Sequence, residues 1–146
     1  MTTVNSAKEF FEKCRRLERR VDDKLDEAVR LRALATNITA NYSDQPHGGG
    51  SINSPIERAV LRLIELEREI ADAVNDMVDH RRAAQSIIDS LTDDRYRDVL
   101  TWRYFSLWNW EQIAEAMACE RMQVWRLHGR ALLAASELLA KAPMNC

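Results

Sequence analysis

Little in this chain breaks a helix. Only four Gly and three Pro occur among its 146 residues, and three of the Gly are adjacent, at Gly48-Gly49-Gly50. Long uninterrupted stretches are left for helices, and runs with the period-two alternation of strands are absent, so the chain reads as all-α. Cysteine is scarce too: Cys14, Cys119 and Cys146 are odd in number, far apart and in no CxxC arrangement. That pattern fits reduced thiols and excludes a disulfide framework. His47, His80 and His128 have no mutual spacing suited to a metal, and no metal or cofactor is expected. The N-terminus MTTVNSAKEFFEKC lacks an apolar h-region, and no apolar run reaches membrane-spanning length. The expectation is a protein of the cytoplasm, with no membrane partner.

Charge is plentiful but nearly balanced, with a formal net charge of −2. This excludes a uniformly basic coat for nucleic acid, though not a local basic patch. Such a patch is present. Residues 1–90 carry slightly more acid than base, whereas from Arg121 onward Arg121, Arg126, Arg130 and Lys141 face only Glu137.

Three blocks follow one another. In the first, Phe10, Cys14, Leu17, Val21, Ala28, Leu31, Ala35, Ile38 and Tyr42 recur in steps of three and four, with one slip at Lys24 and Leu25. They predict one long helix with a heptad seam, solvated on its other side by residues such as Arg15, Arg16, Arg19 and Arg20. Residues 43–53, SDQPHGGGSIN, read as a flexible loop. No strand precedes that glycine run and no Lys-Ser/Thr follows it, which argues against a phosphate loop. A second long helix starts at Ser54 as N-cap, with Pro55 in the first helical position and Glu57 as the capping-box partner. Its predicted seam is Ile56, Val60, Leu63, Ile70, Val74, Met77, Ala84, Ile88 and Leu91, widened by Ala59, Leu66 and Ala73. The expected arrangement is an antiparallel hairpin over residues 1–91. Its core would be thin, and either a second copy, giving a four-helix homodimer, or the C-terminal block could thicken it.

The third block, residues 92–146, predicts three helices. Thr92 or Asp93 caps a helix through Phe105, and Ser106-Leu107-Trp108 forms a break. Asn109, with Gln112 three residues on, caps a short helix through Met117. Ala118-Cys119-Glu120 is a turn, and a last helix runs from about Arg121 to Lys141. A short helix, a three-residue turn and a longer helix make a helix-turn-helix. Ile113, Met117, Val124, Leu127 and Ala131 face inward, and small Ala114 permits close approach. Arg121, Met122, Trp125 and Arg126 are then left near the exposed N-terminal end of the second helix, the end that enters a major groove in this motif. Arginine there suits bidentate contact with guanine, while Gln123 lies nearer the edge of that face. Arg103, His128 and Arg130 are placed for the DNA backbone. Trp102 and Trp110 read as packing residues, Trp125 as an exposed one. No nucleophile–base pair or metal-ligand cluster is found, so no enzyme is expected.

The stretch DVLTWRYFSLWNWEQIAEAMACERMQVWRLHGRAL resembles region 4 of bacterial sigma factors. With AKEFFEKCRRLERRVDDKLDEAVRLRALATNIT and the Gly-rich loop, nearly the whole chain resembles a family of phage and prophage transcriptional regulators with a sigma-region-4-like C-terminus. The resemblance implies base reading by Arg121, Met122, Trp125 and Arg126. It further implies a sequence-specific regulator acting on double-stranded DNA at promoters, alongside bacterial RNA polymerase in the host cytoplasm. The chain departs from the family pattern at Leu107, where Gly is usual, and at Glu120, where Ser or Thr commonly caps. Two other readings stand beside this one: a protein-interaction module that modulates polymerase or a sigma factor, and a small DNA-packaging subunit.

Overall fold

A computed structural model describes residues 4–42 and 54–141, with side chains over 4–36 and 54–141. The loop expected at 43–53 and the seam side chains of Ile38 and Tyr42 lie outside the described residues. The protein is all-α, and five helices follow in order: α1 (Val4–Tyr42), α2 (Pro55–Asp89), α3 (Asp94–Tyr104), α4 (Trp110–Met117) and α5 (Arg121–Lys141). Among the described residues there is no strand, and no helix is long and apolar enough to cross a membrane. Contacts gather into two compact units. One comprises Glu18–Asp76; the other joins Met1–Leu17 to Met77–Cys146.

In the Glu18–Asp76 unit the two long helices run antiparallel. Lys24 pairs with Glu69 at 3.9 Å and Glu27 with Arg62 at 3.0 Å, so that ascending α1 descends α2. The start of α2 is fixed by Ser54, whose hydroxyl accepts the Glu57 amide at 3.1 Å. The buried residues are Val21 and Ala28 on α1, and Ala59, Leu66 and Ala73 on α2. Each recurs at a spacing of seven, which returns to one face every two turns. The expected α2 seam is thus displaced. Ala59, Leu66 and Ala73, expected only to widen it, are its centre, and Val60 is 44% exposed. Small Ala side chains at the centre permit close approach of the backbones, and larger residues are displaced to the flanks. Around the seam, Arg62 bonds Glu27 through Nε and Nη2 at 3.1 and 3.3 Å, and also pairs with Glu65 and Glu69. The hydrogen bond to Glu27, ahead of the other carboxylates, raises the Arg62 pKa.

The second unit has the larger core. Ala7, Phe11 and Cys14 from α1, and Ala84, Ile87 and Ile88 from α2, join Leu91, Val99, Leu100, Tyr104, Ile113, Val124, Leu127, Ala131, Leu132 and Ala135. Phe11 is fully buried and stacks on Tyr104 with ring centroids 5.4 Å apart. Phe10, the expected seam residue, is only partly buried. Its ring packs against His80 at 4.7 Å, and its carbonyl lies 2.6 Å from His80 Nε2. The neighbour won because Ala7, Phe11 and Cys14 follow one another at helical spacing on one buried face. Full burial of a phenylalanine is worth about 2–3 kcal/mol. Here that places one aromatic ring of α1 directly against the C-terminal helices.

Candidate nucleic-acid interface

The C-terminal helices are locally encoded. Asp93 caps α3, accepting the Arg95 amide at 2.8 Å, and its carboxyl is held below the usual range chiefly by the Arg95 side chain. Arg97 spans the chain entering α3, bonding the Leu91 carbonyl and pairing with Asp94. A full capping box starts α4: the Gln112 amide donates to Asn109 Oδ1 at 2.8 Å, and the Asn109 amide to Gln112 Oε1 at 2.9 Å. α4 ends on Ala118 at φ 53°, in the left-handed region. The Cys119 amide reaches the Ala114 carbonyl and the Ala118 amide that of Glu115, both at 3.1 Å, the bond pattern of a Schellman turn. Three residues separate α4 from α5. The Glu120 carbonyl accepts the Gln123 and Val124 amides, and Gln123 Oε1 accepts the Glu120 amide at 3.2 Å. Glu120 therefore caps through its backbone, and Gln123, at the edge of the outward face, secures the start of its own helix.

α5 packs on both α3 and α4. Val124 and Ile113 are fully buried between the helices, and Leu127 and Ala114 nearly so. Anchoring at Val124 and Leu127 fixes what the first turns of α5 present outward. Met122 is 58% and Trp125 51% exposed, and Arg121, Arg126 and Arg130 are exposed as well. An open depression of about 750 Å³ is lined by Glu120, Arg121, Met122 and Trp125. One edge of Trp125 is steadied by Trp110, 5.1 Å away and nearly perpendicular. Arg121 pairs with Glu111 of α4 at 3.0 Å. Arg121, Met122, Trp125 and Arg126 thus share one helix end.

Two of the residues expected at the DNA backbone sit elsewhere. His128 is buried, with 3% of its surface exposed, and its Nε2 shares a 2.6 Å hydrogen bond with the Tyr104 hydroxyl. Burial above all, then the charges of Arg103 and Lys8, lowers its pKa to about 4, while burial raises that of Tyr104. A neutral, enclosed imidazole belongs to the core and does not reach a phosphate. Arg103 is half-buried. Its Nη1 donates to the Trp108 carbonyl at 3.1 Å, and its guanidinium lies 4.2 Å from the Trp110 ring. Burial, then nearby Arg15, lowers its pKa. It acts as a brace for the α3–α4 turn, where Trp102 also stacks on Trp108 at 5.3 Å. Leu107 holds that turn at φ 60°. Arg95 was missed by sequence reasoning: it lies in the first turn of α3, yet lines the same cleft as Arg126 and Arg130.

Comparison with known proteins gives one informative likeness. No protein-family model matches the chain, and no solved structure does. Over 128 residues the chain is 28% identical to the autolysin regulatory protein ArpU of Streptococcus phage O1205, covering 82% of this chain and 84% of that protein. The chain is thus similar, over most of its length, to a phage regulatory protein.

Proposed function

We propose that the protein is a sequence-specific DNA-binding transcription regulator of phage type, acting at promoters with host RNA polymerase, and not an enzyme. The observation that carries this reading is the start of α5. Val124 and Leu127 are locked into the core, while Arg121, Met122, Trp125 and Arg126 stand outward on one helix end. A helix end of this kind fits a major groove, where arginine pairs with guanine and apolar groups meet the thymine methyl. Similarity to a phage regulatory protein supports the same reading. The test is genome-wide DNA retrieval at near-physiological salt, comparing the wild type with an Arg121→Ala/Arg126→Ala double variant. Enrichment of a few sites, lost in a double variant that stays helical, is the expected result. Enrichment of nothing by the wild type would sink the reading.

A protein surface is the second reading, favoured by the apolar character of Met122 and Trp125. Capture of RNA polymerase by the wild type without DNA, lost on Trp125→Ala, would select it. Pairing with a second copy through the long helices is supported by a different region. With a seam of one buried residue per heptad, Leu25, Val29, Val60, Leu61 and Ile64 are left 44–62% exposed. A second copy of the same helices is the occupant that would cover them in a four-helix arrangement. A monomer by sedimentation at all concentrations would dispose of it.

A further inference from the structure

Beside the outward face of α5 lies a cleft of about 420 Å³, ringed by three arginines. Arg126 and Arg130 come from successive turns of α5, and Arg95 reaches in from the first turn of α3. Met117, Leu127 and Cys119 form its apolar side. No acidic residue lines it. Among the described residues, Arg126 and Arg130 have no ion-pair or hydrogen-bond partner, whereas Arg95 pairs only with Asp93 of its own turn, at 3.3 Å. In a chain of net charge −2, three arginines line this one cleft, and among the described residues Asp93 beside Arg95 is the one counter-charge paired with them. An anion seated in the cleft would be attracted by all three cations, two of which have no carboxylate partner among the described residues. A guanidinium presents a planar fork of donors matched to phosphate, so three of them select a tetrahedral oxyanion over a lone carboxylate.

We propose that this cleft is a phosphate-binding site and that its occupant is a phosphodiester of duplex DNA. The phosphate chemistry follows from the cleft alone; the duplex as its source rests on the DNA-binding reading above. A helix lying in a major groove about 12 Å wide has the sugar-phosphate walls on its flanks. The cleft sits on such a flank: Gln123, Arg126 and Arg130 of α5 line it, whereas Met122 and Trp125 line the separate depression at the helix end. Arg126 then serves the backbone, not a base, and Arg95 extends the contact to a second helix. Arg121, paired with Glu111 outside the cleft, is left as the arginine of base recognition.

Cys119 provides the readout, because it lines the cleft and is partly exposed while Cys14 is buried. The experiment uses the full chain carrying Cys146→Ser. The rate of N-ethylmaleimide addition at Cys119 is followed by peptide mass spectrometry, alone, with pyrophosphate, and with a short duplex of random sequence at low salt. Duplex affinity is measured in parallel as a function of salt for the wild type, Arg95→Gln and Arg95→Lys, each checked for helicity. The expected result is protection of Cys119 by the duplex. The slope of log affinity against log salt should also fall in magnitude by about 0.9 in Arg95→Gln, the loss of one phosphate contact, and be kept in Arg95→Lys. If the duplex binds but Cys119 reacts as in the free protein and Arg95→Gln keeps the slope, the cleft proposal is overturned and the DNA reading survives. If pyrophosphate protects Cys119 while the duplex does not bind, the phosphate site stands and the duplex is overturned as its occupant. If neither probe protects and no duplex binds, both proposals fall.

Discussion

Lowering the pH should unlock the C-terminal core through a single side chain, His128. Its imidazole is enclosed by the Tyr104 hydroxyl and by the rings of Trp110 and Trp125, 4.8 and 5.9 Å away. The nearest influential charges, Arg103 of α3 and Lys8 of α1, are positive. Burial and those cations lower its pKa from the ordinary 6.5 to about 4. The unfolded chain therefore binds the proton more readily than the folded one. The sign follows: this contribution to stability is fully present above pH 6.5 and is lost as the pH falls toward the folded value. Linkage between 6.5 and about 4 gives a loss of about 2 kcal/mol at pH 5 and about 3 kcal/mol at pH 4, relative to pH 7. The assay is guanidinium unfolding at pH 7 and pH 5 for the wild type and His128→Gln, whose side chain stays neutral throughout. His80, half-buried with its pKa also lowered mainly by burial, pushes the wild type in the same direction. It is common to both proteins and cancels in the difference between them. The wild type should lose about 2 kcal/mol more than the variant. Equal losses, or an NMR titration of the His128 ring centred near its ordinary pKa in the folded protein, would refute the buried neutral imidazole.

Phe11→Ala should cost about 3–5 kcal/mol in denaturant melts, and Phe10→Ala clearly less, because only the first ring is wholly enclosed. Gly129 lies inside α5, and a Cβ added there meets nothing within 4 Å. Gly129→Ala should accordingly raise stability by about 1 kcal/mol, read as a higher midpoint with unchanged slope. Leu107 adopts φ 60°, which costs a side chain about 1 kcal/mol that glycine does not incur. Leu107→Gly should then raise the melting temperature, by less than that full amount because glycine loosens the unfolded chain. Glu111 holds Arg121 in an exposed pair worth at most about 1 kcal/mol. If α5 meets DNA, Glu111→Gln should tighten binding to a random duplex by up to about fivefold in fluorescence anisotropy, and weakened binding would count against that face.

Signals a few residues apart were legible in the sequence. Asn109 and Gln112 form the capping box that their spacing announces, Asp93 caps α3, and Ser54 opens α2. These bonds close within one turn, so they need no tertiary information. The all-α class followed from the same local signals. Which apolar stripe faces inward was harder. α2 carries apolar residues on more than one face, and sequence weight favours the bulky Val60 over Ala59. The burial runs the other way, since Ala59, Leu66 and Ala73 occupy the same face turn after turn. Phe10 and Phe11 pose the same ambiguity one residue apart. Cys14, Val21 and Ala28 stood in the expected α1 seam and are buried; a strict spacing of seven, counting alanine as fully as valine, would have added Ala7.

The candidate site divides along the same physical line. Arg121, Met122, Trp125 and Arg126 could be placed together from helical spacing once Val124 and Leu127 were given to the core. His128 was assigned to the surface because histidine is polar, although Val124, His128, Ala131 and Ala135 follow one another at helical intervals along a single buried stripe. Position carried the information there, and residue type misled. A buried histidine needs a hydrogen-bonding partner, and Tyr104, itself enclosed, supplies it from a helix 24 residues back. No local pattern could name that partner. The same holds for Arg95, whose neighbours Asp93, Asp94 and Arg97 read as an ordinary charged first turn. Only packing of α3 on α5 brings it to Arg126 and Arg130. The candidate surface is therefore half local and half tertiary. The α5 end that would read bases is written in one helix, whereas the cationic cleft that would grip the backbone exists only once three helices have packed.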